Sequence, residues 1–152
     1  MDSKIELDRI VKEFFDLFTT KNNSKPKLDY IYELCIPQTT IIKNVNGLTE
    51  IYDLESFIIP RKKLLSDGTL IDFSECETQE RTDIFGHIAQ RFSMYEKTGT
   101  LNGKTFSAQG LKTFQFIKMK GEWKISSMAW DDENENQKID MVLSKEKSQP
   151  LK

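Results

Sequence analysis

The segment that decides the fold runs from Gly86 to Glu133 and carries GHIAQRFSMYEK (residues 86–97), LNGKTF (101–106) and TFQFIKMKGEWKISSMAWDDE (113–133). It alternates long β-prone runs with short glycine-bearing breaks, the pattern of antiparallel strands joined by hairpins. Ile88 to Thr98 reads as one strand, Thr105 to Met119 as the next and Trp123 to Asp131 as the last. Lys120-Gly121 is the final turn, with Gly121 as the residue free to take positive φ. Upstream, Leu70 to Asp83 reads as a further strand that turns near Phe85-Gly86.

The preceding residues change period. Leu7, Ile10, Val11, Phe14 and Phe18 recur at helical steps and predict a helix of about four turns. Pro26 suits the first turn of a short second helix, buried through Leu28, Ile31 and Leu34 or Cys35 and stopped at Pro37. Thr39 to Val45 is β-branched and predicts a strand. Asp53 predicts an N-cap for a third helix, with Leu54, Phe57, Ile58, Arg61 and Leu65 on one face and Ser66-Asp67-Gly68 as its end. Pro60 predicts a distortion within it. Helices first and a strand meander afterwards give an α+β fold, with helices on one face of a curved antiparallel sheet.

The chain has 152 residues, a formal net charge of −2, one histidine and two cysteines. That length suits one domain, read here as residues 1–135 followed by a polar, flexible tail over 136–152. Mixed charge without a basic face argues against nucleic acid as a partner. No apolar run approaches the ~20 residues of a membrane span, so no membrane partner is expected. The amino terminus reads without a secretory leader, which with two distant cysteines predicts reduced thiols and a cytoplasmic location. One histidine and two separated cysteines form no metal motif. No phosphate-cradling glycine loop or nucleophile elbow is present, and no cofactor is assigned. His87, beside Gly86, reads as a solvent-facing turn residue.

The order of elements resembles the nuclear transport factor 2-like superfamily over about residues 5 to 133, most of all its SnoaL-like bacterial branch. The resemblance is carried by FIIPR (57–61), LSDGTL (65–70), FGHIA (85–89), FSMYE (92–96) and WDDE (130–133). It implies a cone-shaped, strongly bent antiparallel sheet, a cystatin-like roll, with three N-terminal helices in its mouth. The superfamily includes isomerases, dehydratases, cyclases, transport factors and binding modules, so the resemblance implies a fold before a reaction.

In such a fold the concave face is a pocket lined by alternate strand residues. A three-residue loop in the last hairpin would put Ile117, Met119, Trp123 and Ile125 on the inner side. Extended along the strands, that register turns Thr113, Gln115 and Ser127 inward and Phe114, Phe116 and Met128 outward, where the latter three would form a homodimer interface on the convex face. Gln115 then sits about where enzymes resembling ketosteroid isomerase hold a hydrogen-bond donor for an oxyanion; its bland reading is a buried amide paired with backbone or with Ser127. The superfamily's usual base position offers Gln38, Thr39 and Thr40 here, which departs from an isomerase.

Small Ala89 and Ser93 mark the inner side of their strand, together with Arg91 and Tyr95. Arg91 suits a ligand carboxylate or a cross-strand pair with Glu80. Glu75 and Glu77, or Asp131 and Glu133, are carboxylate pairs able to supply an acid and a base, or else a solvated rim. The expected ligand-binding set is Phe14, Phe18, Tyr30, Phe57, Arg91, Tyr95, Gln115, Trp123, Trp130 and Asp131. Asp131, Tyr95 and Gln115 are the catalytic candidates. The function expected first is binding of a small, largely apolar molecule. A proton-transfer enzyme and an interaction module acting through the convex sheet face are the alternatives.

Overall fold

A computed structural model of the chain describes residues 2–139. Among these residues three α-helices and six strands form: α1 (Ser3–Asp16), α2 (Ile31–Leu34), β1 (Cys35–Val45), β2 (Leu48–Tyr52), α3 (Leu54–Ser66), β3 (Leu70–Phe85), β4 (Ile88–Leu101), β5 (Lys104–Met119) and β6 (Glu122–Asp132). Asp2 caps α1, its carboxylate accepting from the backbone N–H groups of Lys4 and Ile5. The apolar stripe of α1 is buried at Leu7, Ile10, Val11, Phe14 and Phe15. Asp53 caps α3 in a reciprocal box with Ser56. The helix runs unbroken through Pro60 without the expected break; proline has no N–H to donate, so one helical hydrogen bond is missing there.

The sheet order is β2-β1-β6-β5-β4-β3. This corrects the expectation of a cone-shaped antiparallel sheet. The sheet is mixed, because β1 lies parallel to β6, and it is open, ending in two edges at β2 and β3. Pairing β1 with a strand some 85 residues later in the chain (Ile41 with Met128) is a long-range contact that no local pattern encodes. The short helix expected to end at Pro37 also gives way one turn early: Pro37 lies within β1. The second strand, β2, follows β1 through an Asn46-Gly47 turn with both residues at positive φ.

The last hairpin corrects the facing of β5. Met119 pairs with Glu122 and Lys118 with Trp123, so the loop is two residues, Lys120-Gly121, both at positive φ. Such a primed turn follows the right-handed twist of its strands better than a longer loop does. A change of one residue in loop length flips every side chain of a strand to the other face. Phe114 and Phe116 therefore face the helices and are buried, while Gln115 is exposed. A bulge at Ser126 separates the Gln115–Ser127 pair from the Phe116–Ile125 pair. It brings Met128 and Trp130 onto the same inner face as Trp123 and Ile125, all buried. Phe114, Phe116 and Met128 are thus core side chains of the protomer, not an exposed patch for a second copy.

The core lies between this inner face and the helices. Phe14 sits edge-on to Phe114 at 5.6 Å and to Phe18 at 5.6 Å, Phe18 to Phe57 at 5.8 Å, and Phe57 to Trp130 at 6.0 Å. Each contact of this kind adds about 0.5–1.5 kcal/mol beyond area burial. Trp123 plugs the end of α1, its indole N–H donating to the Ser3 hydroxyl at 3.0 Å. On the opposite face Ile139 packs with Met94, Phe92 and Leu111. Of the stretch read as a tail, 136–139 folds back in this way, and 140–152 lies outside the described residues. Both cysteines are free; burial pushes the Cys35 thiol up to about 12, which keeps it protonated.

Candidate functional site

Helix α3 crosses the inner face of the sheet and packs against β1, β2 and β3, so it spans the two open edges. Beneath it lies a cavity of about 430 Å³ that touches every strand. Its apolar wall includes Phe18, Phe57, Leu65, Phe73, Phe106 and Trp130. Four cations, Lys43, Arg61, Lys97 and Lys112, face it alongside two carboxylates, Glu50 and Glu75. One of the four, Lys97, is paired with Asp132 just behind the lining, at 3.2 Å, which leaves a net excess of one positive charge within the aromatic wall. Arg61 is held there by stacking: its guanidinium lies 3.9 Å from the Phe57 ring centre and 5.2 Å from that of Tyr52, and it donates to the Phe57 carbonyl at 3.1 Å. The Tyr52 hydroxyl donates to Glu50, which fixes the rim.

Lys112 is the most unusual group in the cavity. Its side chain is 4% exposed, and its ammonium lies 4.7 Å from the Trp130 ring centre, 4.9 Å from Phe15, 5.0 Å from Phe14 and 5.5 Å from Tyr95. Glu75 faces it at 3.5 Å. Burial pulls the ammonium below the usual lysine range; Glu75 works the other way, and the charges of Lys97 and Arg61 add to the lowering. Proton linkage has a definite sign here. The unfolded chain binds more protons than the native one between the lowered and the ordinary lysine pKa, so stability rises with pH across that window.

The pair also predicts a stability pattern. Glu75→Gln alone leaves a buried ammonium without its counter-ion and destabilises the protein in urea unfolding. The double variant Lys112→Met, Glu75→Gln replaces the pair by groups that suit an aromatic cage and gains about 1–4 kcal/mol over wild type. The double variant also loses the rise with pH. A double variant as unstable as the single one would show that the pair is not a net cost.

Next to Lys112, the Tyr95 hydroxyl donates to the Asp132 carboxylate and to the Asp131 carbonyl at 3.1 Å, and Lys97 pairs with Asp132 at 3.2 Å. Burial, reinforced by the bond to Asp132, pushes the phenol well above its ordinary range, so it remains a hydrogen-bond donor and not a base.

Of the residues expected from sequence, Phe18, Phe57 and Trp130 line the cavity. Phe14 and Tyr95 stand behind it, against Lys112. The others lie elsewhere. Tyr30 is 42% exposed on the surface, Gln115 is exposed on the opposite face, and Trp123 is at the far end of α1. Asp131 faces the outer side, accepting from Gln137 Nε2 at 2.9 Å and from the Asn46 backbone N–H at 3.4 Å. Arg91 is on the inner face but is committed to carboxylates, Glu77 at 2.5 and 3.0 Å and Asp8 at 2.8 Å; Glu80, its expected partner, is farther, at 3.7 Å. At the position where an isomerase base was sought, Gln38 and Thr40 are exposed and the buried Thr39 hydroxyl donates to the Ile36 and Ile125 carbonyls.

Lys112, Arg61, Lys97 and Asp132 were missed as site residues. The available signal was the i, i+2 row Lys112-Phe114-Phe116, which places a cation in an aromatic line once the turn is read as two residues. A second hollow of about 370 Å³ lies on the outer face, lined by Leu111, Thr113, Ala129, Asp131 and Ile139 among others. Among the described residues no group of three histidine, cysteine or acidic side chains is placed to hold a metal ion, and no helix is long and apolar enough to cross a membrane.

No protein-family model matches this chain, and no curated protein matches it. Solved structures do. A nuclear transport factor 2-like protein from Prochlorococcus is 18% identical, with a TM-score of 0.70 over 94% of this chain and 99% of the other. A nuclear transport factor 2-like superfamily protein from Salmonella enterica is 13% identical, with a TM-score of 0.70 over 88% and 93%. One from Cytophaga hutchinsonii is 13% identical, with a TM-score of 0.68 over 88% and 100%. At such identities the likeness speaks for architecture alone. The chain has the nuclear transport factor 2-like fold.

Proposed function

We propose that this protein binds a small, largely apolar molecule with an anionic end in the cavity beneath α3. One observation carries the reading: an aromatic hollow of about 430 Å³, within the size range of small-molecule sites, faces four cationic side chains and only two carboxylates. The rings take an apolar or aromatic body. Arg61, held flat by Phe57 and Tyr52, presents a planar donor set suited to a carboxylate, and Lys97 lies within range of the same end. The proton-transfer alternative has less behind it. Gln115 is exposed, the Asp131 carboxylate is bonded to Gln137 and Asn46, and the Tyr95 phenol is held protonated.

The test compares 2-naphthoate with neutral 2-naphthalenemethanol by isothermal calorimetry. Wild type is expected to prefer the carboxylate. Arg61→Met weakens the carboxylate by about tenfold or more, as the loss of one charged hydrogen bond implies, and leaves the alcohol little changed. Equal affinity for both probes, or no binding of either, would remove the basis for an anion-selective cavity.

A further inference from the structure

A lysine placed as Lys112 is has a chemistry beyond charge pairing. Lys112 lines the cavity, four aromatic rings lie within 5.5 Å of its ammonium, its side chain is 4% exposed, and Glu75 is its one ion-pair partner among the described residues. A solvated lysine remains protonated and non-nucleophilic at neutral pH. One that is desolvated beside other cations is the arrangement that frees an amine. Here the neighbouring elements supply Lys97 and Tyr95 from β4, Arg61 from α3, Glu75 from β3 and Trp130 from β6, while α1 presents Phe14 and Phe15 to Lys112 and carries Lys12 and Asp16 into the hollow on the other side of Glu75. An ordinary structural lysine would send its head to solvent along its flexible stem; this one is enclosed with a proton acceptor and an empty volume in front of it.

We propose that Lys112 captures carbonyl compounds, apolar aldehydes or ketones carrying an anionic end, as a reversible imine inside the cavity. The proposal rests on the reading of the cavity as a ligand site. The Lys112 ammonium passes a proton to the Glu75 carboxylate, and the freed nitrogen lone pair attacks the carbonyl carbon. A carbon–nitrogen bond forms as the carbonyl π pair moves to oxygen, which takes the second proton from nitrogen to give the carbinolamine. Glu75 returns its proton to that hydroxyl, the carbon–oxygen bond breaks, and water leaves as the nitrogen lone pair closes the protonated imine. Charge is conserved, with one ammonium and one carbonyl giving one iminium and one water. No oxidant or reductant is needed, and water reverses the step. The aromatic wall accommodates the body of the ligand, and Arg61 and Lys97 lie on the side where its anionic end would rest.

The experiment treats the whole protein with 4-formylbenzoate and cyanoborohydride, which converts an imine to a stable secondary amine, and maps the modified lysines by tandem mass spectrometry. Labelling at Lys112 is expected to exceed that at the exposed Lys12 by roughly tenfold at neutral pH. In urea, where every lysine is solvated, the preference disappears. Glu75→Gln lowers the labelling rate of Lys112, and folding of that variant is checked by circular dichroism. If it does not fold, the comparison of native and urea-unfolded wild type decides alone. Labelling spread evenly over the surface lysines, or absent from Lys112, overturns the proposal. Binding of 4-methylbenzoate, which lacks the carbonyl, separates the two failures. If it still perturbs tryptophan fluorescence, the cavity reading stands and only the imine falls; if it does not, both fall.

Discussion

Replacing Arg91 with methionine costs the protein about 3–5 kcal/mol, the loss expected when one member of a buried ion network is removed and its partners remain. The guanidinium is 1% exposed and binds both Glu77 carboxylate oxygens, while its other terminal nitrogen reaches Asp8. Glu77 also accepts from the Ser93 hydroxyl at 2.5 Å, which helps hold its half-buried carboxylate against Arg91. Asp8 belongs to α1, so this arginine ties the first helix to the sheet at β3 and β4. Its removal strands Glu77 and takes away the tie between the middle of α1 and β4. The double variant Arg91→Met, Glu77→Leu removes the stranded charge and recovers most of the loss. Urea unfolding of the two variants checks this. A single variant within 1 kcal/mol of wild type would mean that Glu77 is solvated in the folded chain.

The same network gives an acid limb to the stability curve. Burial works against the Asp8 carboxylate, but hydrogen bonds from Lys4 and Arg91, and their charges, bring it below its usual range. A carboxyl lowered in the native state contributes stability that is complete above the unfolded pKa and is lost as pH falls through the native one. Arg91→Met flattens that limb.

Gly110→Ala is expected to be comparably severe, about 3 kcal/mol or more. Gly110 pairs with Asp132 in the β5–β6 ladder, and a methyl group at its Cα would overlap both the Tyr95 hydroxyl oxygen and the Asp131 carbonyl oxygen. The first could move only by breaking the buried bond from Tyr95 to Asp132. The second is ladder backbone and cannot move without opening the sheet. The absence of a side chain here is what lets the phenol lie across β5 and reach β6. Thermal unfolding measures the loss. The companion Gly110→Ala, Tyr95→Phe removes only the overlap with the hydroxyl oxygen, and it recovers little of the deficit because the ring carbon that bore the hydroxyl and the Asp131 carbonyl still overlap the methyl group.

These two residues show how unevenly the fold could be read from the chain. The row Ala89-Arg91-Ser93-Tyr95 announced the inner face of β4 through its small members. The stripe of α1 and the Asp53 cap of α3 were equally plain, because helical period and capping are local properties. The partners were not. Glu77 meets Arg91 from beyond a bulge between Glu77 and Gln79 that nothing local marks, and the same bulge turns Glu80 to the side of Arg91, where it stays at 3.7 Å. Asp8 approaches from a helix 83 residues earlier in the chain. For the candidate site, the aromatic residues Phe18, Phe57 and Trp130 were legible as apolar side chains at core spacing. Arg61 was already legible on the inner face of its helix, but the three lysines that complete the cationic set were hidden, since a lysine in a strand reads as surface until its face is known.

Local chemistry was enough to set the class of fold, the number and order of most elements, and the division of each into apolar and polar sides. Those follow from side-chain period, capping and turn residues, all of which act over a few positions. Packing alone decided that β1 joins β6 in parallel and leaves the sheet open, that a two-residue turn and a bulge at Ser126 turn Lys112 and Trp130 inward and Gln115 and Asp131 outward, and that α3 roofs a charged hollow. Each of those depends on a one-residue register or on contacts between distant segments. A strand repeats every two residues, so one position more or less in a loop exchanges the buried set for the exposed one.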